Sequence, residues 1–369
     1  MNPKPFRPRC ICLIGIFDPT SGGQAAVNES IRRQVVLAGA TACVIDLSPA
    51  RGPATLSRRL SRIPKVSIGV IRLLSLVINR KIASTYIGLS GGYGQMYDLV
   101  FVGIARLAAI QLYIHHDSFA YLDRASPLAG LVIRLAGSRA LHVVLCESMG
   151  AQLQDLYPTA RQVLVISNVT NTDEPEAPPL PRGKLNSIGL FSNLTRDKGV
   201  LEFLDLAEQI CQMRPGLRAL LAGPVEEPAL GPILKDRLSS APWVEYVGPV
   251  YGDARSQFLA NLDVLIFPTR YANEAEPKVV AEALACGIVV VARDRGCIGS
   301  LLSSDRGVSI PASVDFISAA MRLLLEWSSN AEAFSLLSSS ALRGYRQLRD
   351  EQSGRLRLLI STMAGFANS

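Results

Sequence analysis

The chain has only three histidines, no Cys-x-x-Cys pair, and no uncharged apolar stretch of the ~18 to 20 residues a membrane-crossing helix needs. It therefore reads as a chain that does not cross a bilayer. Charged residues are sparse at 19% and aromatics at 6%, while 49% of the 369 residues are hydrophobic. That is far from the polar composition that keeps chains disordered. The seven cysteines show no disulfide-like spacing, and an odd count implies reduced thiols and a cytoplasmic compartment. Lys4, Arg7 and Arg9 precede the apolar run Cys10 to Phe17, which imitates a signal peptide. The run stops at Asp18 without an A-x-A site, so a first buried strand is the better reading. Acid is missing altogether from Leu47 to Tyr97, where eight Lys or Arg fall. The formal charge of +7 is thus local, the remainder summing to about −1.

A length of 369 residues exceeds one ordinary core and implies two domains. Short β-branched runs alternate with helical patterns, the signature of parallel sheets built from strand, helix, strand units. Strands are expected at Cys10 to Ile16, Ala42 to Asp46, Thr85 to Leu89, Gln111 to His115, His142 to Cys146 and Val163 to Ile166. A second series is expected at Ser187 to Phe191, Arg218 to Ala222, Val244 to Val247, Val264 to Phe267, Ile288 to Val291 and Val308 to Ile310. Between them, a proline-rich and acidic stretch offers little to bury. The expected division is a domain over 1–167, a linker over 168–186, a domain over 187–345, and a C-terminal helix over 346–369 that packs back on the first domain. The fold class is α/β, two Rossmann-like doubly wound domains facing a cleft at the carboxyl ends of their strands.

The most informative segment is FPTRYANEAEPKVVAEALACG, Phe267 to Gly287. Pro277 is expected in the first turn of a helix, with Glu282 about one and a half turns in and Glu274 on the loop before it. A carboxylate can accept two hydroxyl hydrogen bonds and a helix start offers amides to an anion, which suits a ligand with both a diol and a diphosphate. Solvated glutamates on a helix face are the alternative. The segment Ser192 to Gly199, SNLTRDKG, follows the first strand of the second series.

Together the two segments resemble the donor-binding signature of the family-4 retaining glycosyltransferases, which have the GT-B fold. The resemblance implies a sugar moved from a nucleotide-diphosphate donor to an acceptor hydroxyl, in bacterial cell-surface polysaccharide or lipid-linked glycan assembly. No cofactor and no metal are implied. Lys198 resembles the lysine that neutralises the donor diphosphate, Glu282 the ribose-binding carboxylate, and Glu274 the contact to the transferred sugar. Ala275, Glu276, Pro277 and Lys278 fall in the same donor-binding loop. Two departures stand out. Asn193 occupies the position of a partner arginine, with Arg196 or Lys278 as substitutes, and Glu274-Ala275-Glu276-Pro277 replaces the commoner Glu-Gly-Phe-Gly. Alanine allows a close approach only at negative φ.

In the first half, TSGGQ (Thr20 to Gln24) resembles the family's glycine-rich first loop, placing Gly22 and Gly23 beside the donor phosphate. A second cluster, Ser90 to Gly94, follows the third strand. His116, at the end of the fourth strand, aligns with the family's histidine near the reacting sugar. A structural histidine is one alternative and a His-His-Asp metal site another, the latter weakened by the single further histidine, His142.

Arg58, Arg62, Lys65 and Arg72 recur at helical spacing among apolar residues. Residues 58–81 thus suit an anionic membrane surface at the inner face, with a solvated helix face as the alternative and no nucleic-acid motif present. A catalytically inactive nucleotide-sugar-binding protein and a nucleotide-sugar epimerase share the expected plan.

Overall fold

The computed structural model describes residues 9–18, 23–49, 62–172, 179–303 and 305–365. Its contacts divide the chain into two compact units, one ending at Asn171 and resuming at Gln352, the other spanning Thr172–Glu351.

The first unit holds β1 (Cys10–Gly15), β2 (Thr41–Asp46), β3 (Ile82–Gly88), β4 (Gln111–His115), β5 (Leu141–Val144) and β6 (Gln162–Val165). They form one sheet in the order β2-β1-β3-β4-β5-β6 with every pair parallel. All six expected strands are present, shifted by a few residues at their ends. The connections reverse direction between β1 and β3, so the loops after these two strands flank the switch point where doubly wound sheets bind ligands. Gly15 and Gly88 end the two strands, and a Cβ on either would lie 2.7 or 2.5 Å from the Asn28 side chain. Glycine is what lets Asn28 wedge in, donating to the Ile16 carbonyl at 3.0 Å.

One face of this sheet packs Ile11, Leu13, Tyr86, Tyr113 and Val143 against Leu356, Leu359, Ile360 and Met363. Each such side chain contributes about 1.5 to 3 kcal/mol on burial. The last four belong to the helix Ala331–Ala364, longer than the expected 346–369 helix. Its closing turns are tied in by Ser84 Oγ donating to the Met363 carbonyl at 2.7 Å. The start of the expected linker is also different. Asn168–Asn171 is a short 3-10 helix with all four residues buried, so the first four residues of the expected linker belong to the first unit. Among the described cysteines, Cys10, Cys12, Cys43, Cys211 and Cys286 are free, with burial pushing the Cys10 thiol up to about 12.

The second unit holds β7 (Ser187–Phe191), β8 (Arg218–Ala222), β9 (Val244–Tyr246), β10 (Val264–Phe267), β11 (Val289–Arg293) and β12 (Val308–Ile310). Their order is β12-β11-β10-β7-β8-β9, again all parallel. β10 and β11 are buried at every residue, as an all-parallel sheet covered on both faces requires. Here the reversal lies between β7 and β10. The two motif segments follow these two strands.

Candidate functional site

After β7 the chain runs through Ser192 to Gly199 and enters the helix Val200–Met213. Gly199 has φ +80, and an added Cβ would meet the Pro268 carbonyl oxygen at 2.7 Å. This close crossing brings Lys198 over the end of the neighbouring strand. The loop after β10 returns the contact, the Arg270 N–H donating to the Asp197 carbonyl at 2.7 Å.

The result is a pairing that sequence separation hides. Lys198 Nζ donates to Glu274 Oε2 at 2.5 Å, and Thr269 Oγ1 donates to the same oxygen at 3.2 Å. The ammonium also lies 4.7 Å from the Tyr271 ring centroid. Lys198 is 17% and Glu274 9% exposed, so this is a partly desolvated pair that retains an opening to solvent. Pro277 immediately precedes the helix Lys278–Ala285, with ψ 123, rather than lying in its first turn. Glu282 is consequently the fifth helical residue, one turn in. No side chain caps this helix, and within its first turn the Val280 N–H donates to the Pro277 carbonyl at 3.1 Å.

Glu282 is paired with Arg255, from the helix Asp253–Ala260. Nothing in the sequence singles out Arg255, because a basic residue on a short polar helix reads as surface. Arg295 and Gly296 were also missed. Arg295 donates to the Tyr271 and Ala272 carbonyls. Gly296, at φ +60, lies where a Cβ would come 2.5 Å from the carbonyl oxygens of Glu274 and Ala275. A glycine between Arg295 and Cys297 was the available signal, a turn needing positive φ. Ala275, Glu276 and Pro277 are buried, and Ala275 has no positive φ. Lys278 is half-buried at the helix start. Asn193 is exposed and donates Nδ2 to Glu226 Oε1 at 2.6 Å, while Arg196 is held by Glu227.

In the first unit, Gly22 lies outside the described residues and Gly23 opens the helix Gly23–Leu37. Gln24 Nε2 donates to the Leu89 carbonyl at 2.6 Å, joining the start of this helix to the second glycine-bearing loop. Asp98 anchors the second loop, accepting from the Ser90 N–H at 2.8 Å and from Ser90 Oγ at 3.2 Å. Burial raises its carboxyl to about 7, partly offset by those hydrogen bonds and by Arg62. The folded protein therefore holds a proton that an unfolded aspartate releases near pH 4, so Asp98 makes stability fall as pH rises from about 4 to about 7. Asp98→Asn should flatten the melting temperature between pH 5 and 8. An unchanged slope in thermal unfolding would assign that dependence elsewhere.

His116 does not present a free ring nitrogen. Nδ1 is 2.8 Å from Tyr121 Oη and Nε2 is 2.9 Å from His142 Nδ1, and burial drives its pKa well below the usual range. This differs from the expectation of a histidine facing the sugar, because Tyr121 from the same segment and His142 from β5 take both ring nitrogens. His115 contacts Tyr86 Oη at 2.6 Å. Among the described residues no group of three or more His, Cys, Asp or Glu could hold a metal ion.

Residues 186–326 match the family described as Glycosyl transferases group 1. The fold is that of several solved structures. Sucrose-phosphate synthase from Thermosynechococcus elongatus superposes with TM-score 0.73 at 17% identity, over 98% of this chain and 100% of that one. Anabaena Alr3699/HepE, solved with UDP, gives TM-score 0.68 at 16% identity, over 97% and 100%. A glycosyltransferase from Rickettsia africae gives 0.66 at 12% identity, over 97% and 100%. No curated protein matches the chain by sequence. The two Rossmann-like units are thus those of the GT-B fold, and the second carries a group 1 glycosyltransferase match.

Proposed function

We propose that the protein is a retaining glycosyltransferase that moves a hexosyl or N-acetylhexosaminyl group from a nucleotide-diphosphate donor to an acceptor hydroxyl. The observation that supports it most is the meeting of Lys198 and Glu274 at the switch point of the unit that carries the group 1 match. An arriving diphosphate competes with Glu274 for the ammonium. Glu274 is then free to accept from hydroxyls of the sugar, and Glu282 from the ribose diol. The bond from the anomeric carbon to the diphosphate breaks through an oxocarbenium-like state. Lys198 stabilises the negative charge that grows on the leaving group. The acceptor oxygen bonds the same face of that carbon, and its proton passes to a departing phosphate oxygen. No protein nucleophile and no metal takes part in this scheme. Glu274 positions the sugar. His116, spent within its unit on Tyr121 and His142, orders the end of β4.

A thermal-shift panel of nucleotide sugars tests the donor site, because a ligand bound only by the folded state raises the melting temperature. UDP and UDP-glucose come first, since Anabaena HepE was solved with both. Glu282→Gln is expected to weaken donor binding roughly tenfold while the protein still folds. Unchanged affinity and turnover would remove Glu282 from the site. Offering donor without acceptor separates the alternatives. An epimerase converts the donor, and an inactive binding protein never releases nucleoside diphosphate even with acceptor present.

The acceptor belongs to surface polysaccharide or lipid-linked glycan assembly on this reading, and a peripheral membrane position follows from the helix Arg62–Ile78. Its outer face exposes Ile68, Ile71 and Ile78 at 67%, 68% and 78%, beside Lys65 and Arg72, and the stretch carries no acid. No helix among the described residues is long and apolar enough to cross a membrane. Such a face suits lying in an anionic interface. Sedimentation should show binding to anionic vesicles and little to neutral ones, reduced by Ile68→Ser with Ile71→Ser. Equal binding to both vesicle types would remove the charge argument.

A further inference from the structure

The resemblance places a diphosphate-binding arginine where this chain has Asn193, and the local geometry gives Asn193 no charge to offer. Its amide is committed to Glu226 at 2.6 Å. Arg196 is held by Glu227 through both its backbone N–H at 3.0 Å and its Nε at 2.9 Å. A cation nevertheless reaches the end of β7, from a different element. The helix Asp253–Ala260 carries Arg255 so that its guanidinium lies 5.4 Å from the ring centroid of Phe191, the last residue of β7. From there Nη2 engages Glu282, while Nε is buried and has no hydrogen-bond partner.

Each donor-site carboxylate thus has its own cation, Lys198 on Glu274 and Arg255 on Glu282. The aromatic residues beneath them, Phe267 and Phe191, end β10 and β7, which are hydrogen-bonded neighbours. Adjacent strands lie about 4.8 Å apart, so the two cations are held at the ends of the two strands that flank the switch point. We propose that Arg255 is the second diphosphate-binding cation of this site, supplied by the helix after β9 in place of the arginine missing at Asn193. The inference rests on the donor reading above. Ribose hydroxyls take over Glu282, and the released guanidinium turns its planar set of donors to a phosphate, including the Nε–H that has no partner beforehand. A guanidinium matches phosphate oxygens two at a time, which an ammonium cannot do.

Arg255 could instead serve only to hold Glu282 in place, and the two roles separate by ligand. Titration calorimetry on the full chain would compare UDP, GDP and ADP with uridine, guanosine and adenosine, for wild type, Arg255→Gln and Arg255→Lys. For whichever diphosphate binds, Arg255→Gln should weaken it about 10- to 100-fold and leave the matching nucleoside within about twofold, with Arg255→Lys in between. Arg255→Lys keeps the charge and guards against a variant that fails to fold. Equal losses for diphosphate and nucleoside, or no loss for either, overturn the proposal while leaving the donor site standing. Failure of wild type to bind any of the three diphosphates overturns both, and is recognised because it needs no variant.

Discussion

Replacing Lys198 with alanine is expected to slow release of nucleoside diphosphate about 100- to 1,000-fold, the usual cost of removing one group that stabilises transition-state charge. The ammonium sits 2.5 Å from Glu274 and is only 17% exposed, so water cannot fully replace it. Removal also leaves Glu274 accepting from the Thr269 hydroxyl at 3.2 Å in place of a cation. Both effects act on the bond-breaking step more than on donor capture. The loss should therefore fall mainly in kcat, with KM changed less. A variant that turns over at the wild-type rate, while circular dichroism shows it folded, would remove Lys198 from the chemistry and with it the proposed mechanism.

The second large effect is structural. Gly223→Ala should lower stability by about 3 kcal/mol or more, since φ is +125 and the new Cβ would lie 1.7 Å from the Ser192 carbonyl oxygen. Neither atom can yield cheaply, because the contact is to backbone and Gly223 is itself held. Its N–H donates to the Gly248 carbonyl at 2.9 Å, and its carbonyl accepts from Tyr246 Oη at 2.9 Å. For a unit of this size that loss corresponds to a fall in melting temperature of roughly 6 to 12 °C. Pushing Ser192 away also moves the loop that carries Lys198, so donor affinity should fall in the protein that remains folded. Gly231→Ala is the matched control. It lies in the helix Leu230–Ser239 with nothing within 4 Å of an added Cβ, so it should leave stability unchanged or slightly raised. Equal melting temperatures for the two variants would show that the approach of Ser192 to Gly223 is not tight.

Much of the architecture was legible because it follows from short-range chemistry. Val264 to Phe267 and Ile288 to Val291 read as buried strands from their unbroken apolar, β-branched runs, and the strands found there, Val264–Phe267 and Val289–Arg293, pair as parallel neighbours. Pro277 marks the start of its helix to within a residue, since its missing N–H fits only there. The site was legible in part. Glu274, Glu282 and Lys198 stood out by spacing and by resemblance, but their partners did not. Arg255 lies 27 positions from Glu282 and Lys198 lies 76 from Glu274, and no local rule reports such distances. His116 shows the reverse. Its place at a strand end suggested an open nitrogen, yet Tyr121, five residues on, and His142, from the next strand, take both.

Read alone, the amino-acid order determined that this is an α/β protein of twelve strands in two series, with its charge concentrated in one stretch. Periodicity and composition act over a few residues and survive without knowledge of the rest. Tertiary structure decided which charges meet. The order of β7 and β10 in the sheet, and the crossing of Gly199 over Pro268, bring an ammonium to a carboxylate that is remote along the chain. Such pairings depend on strand order and backbone approach, which are settled only when the whole unit packs.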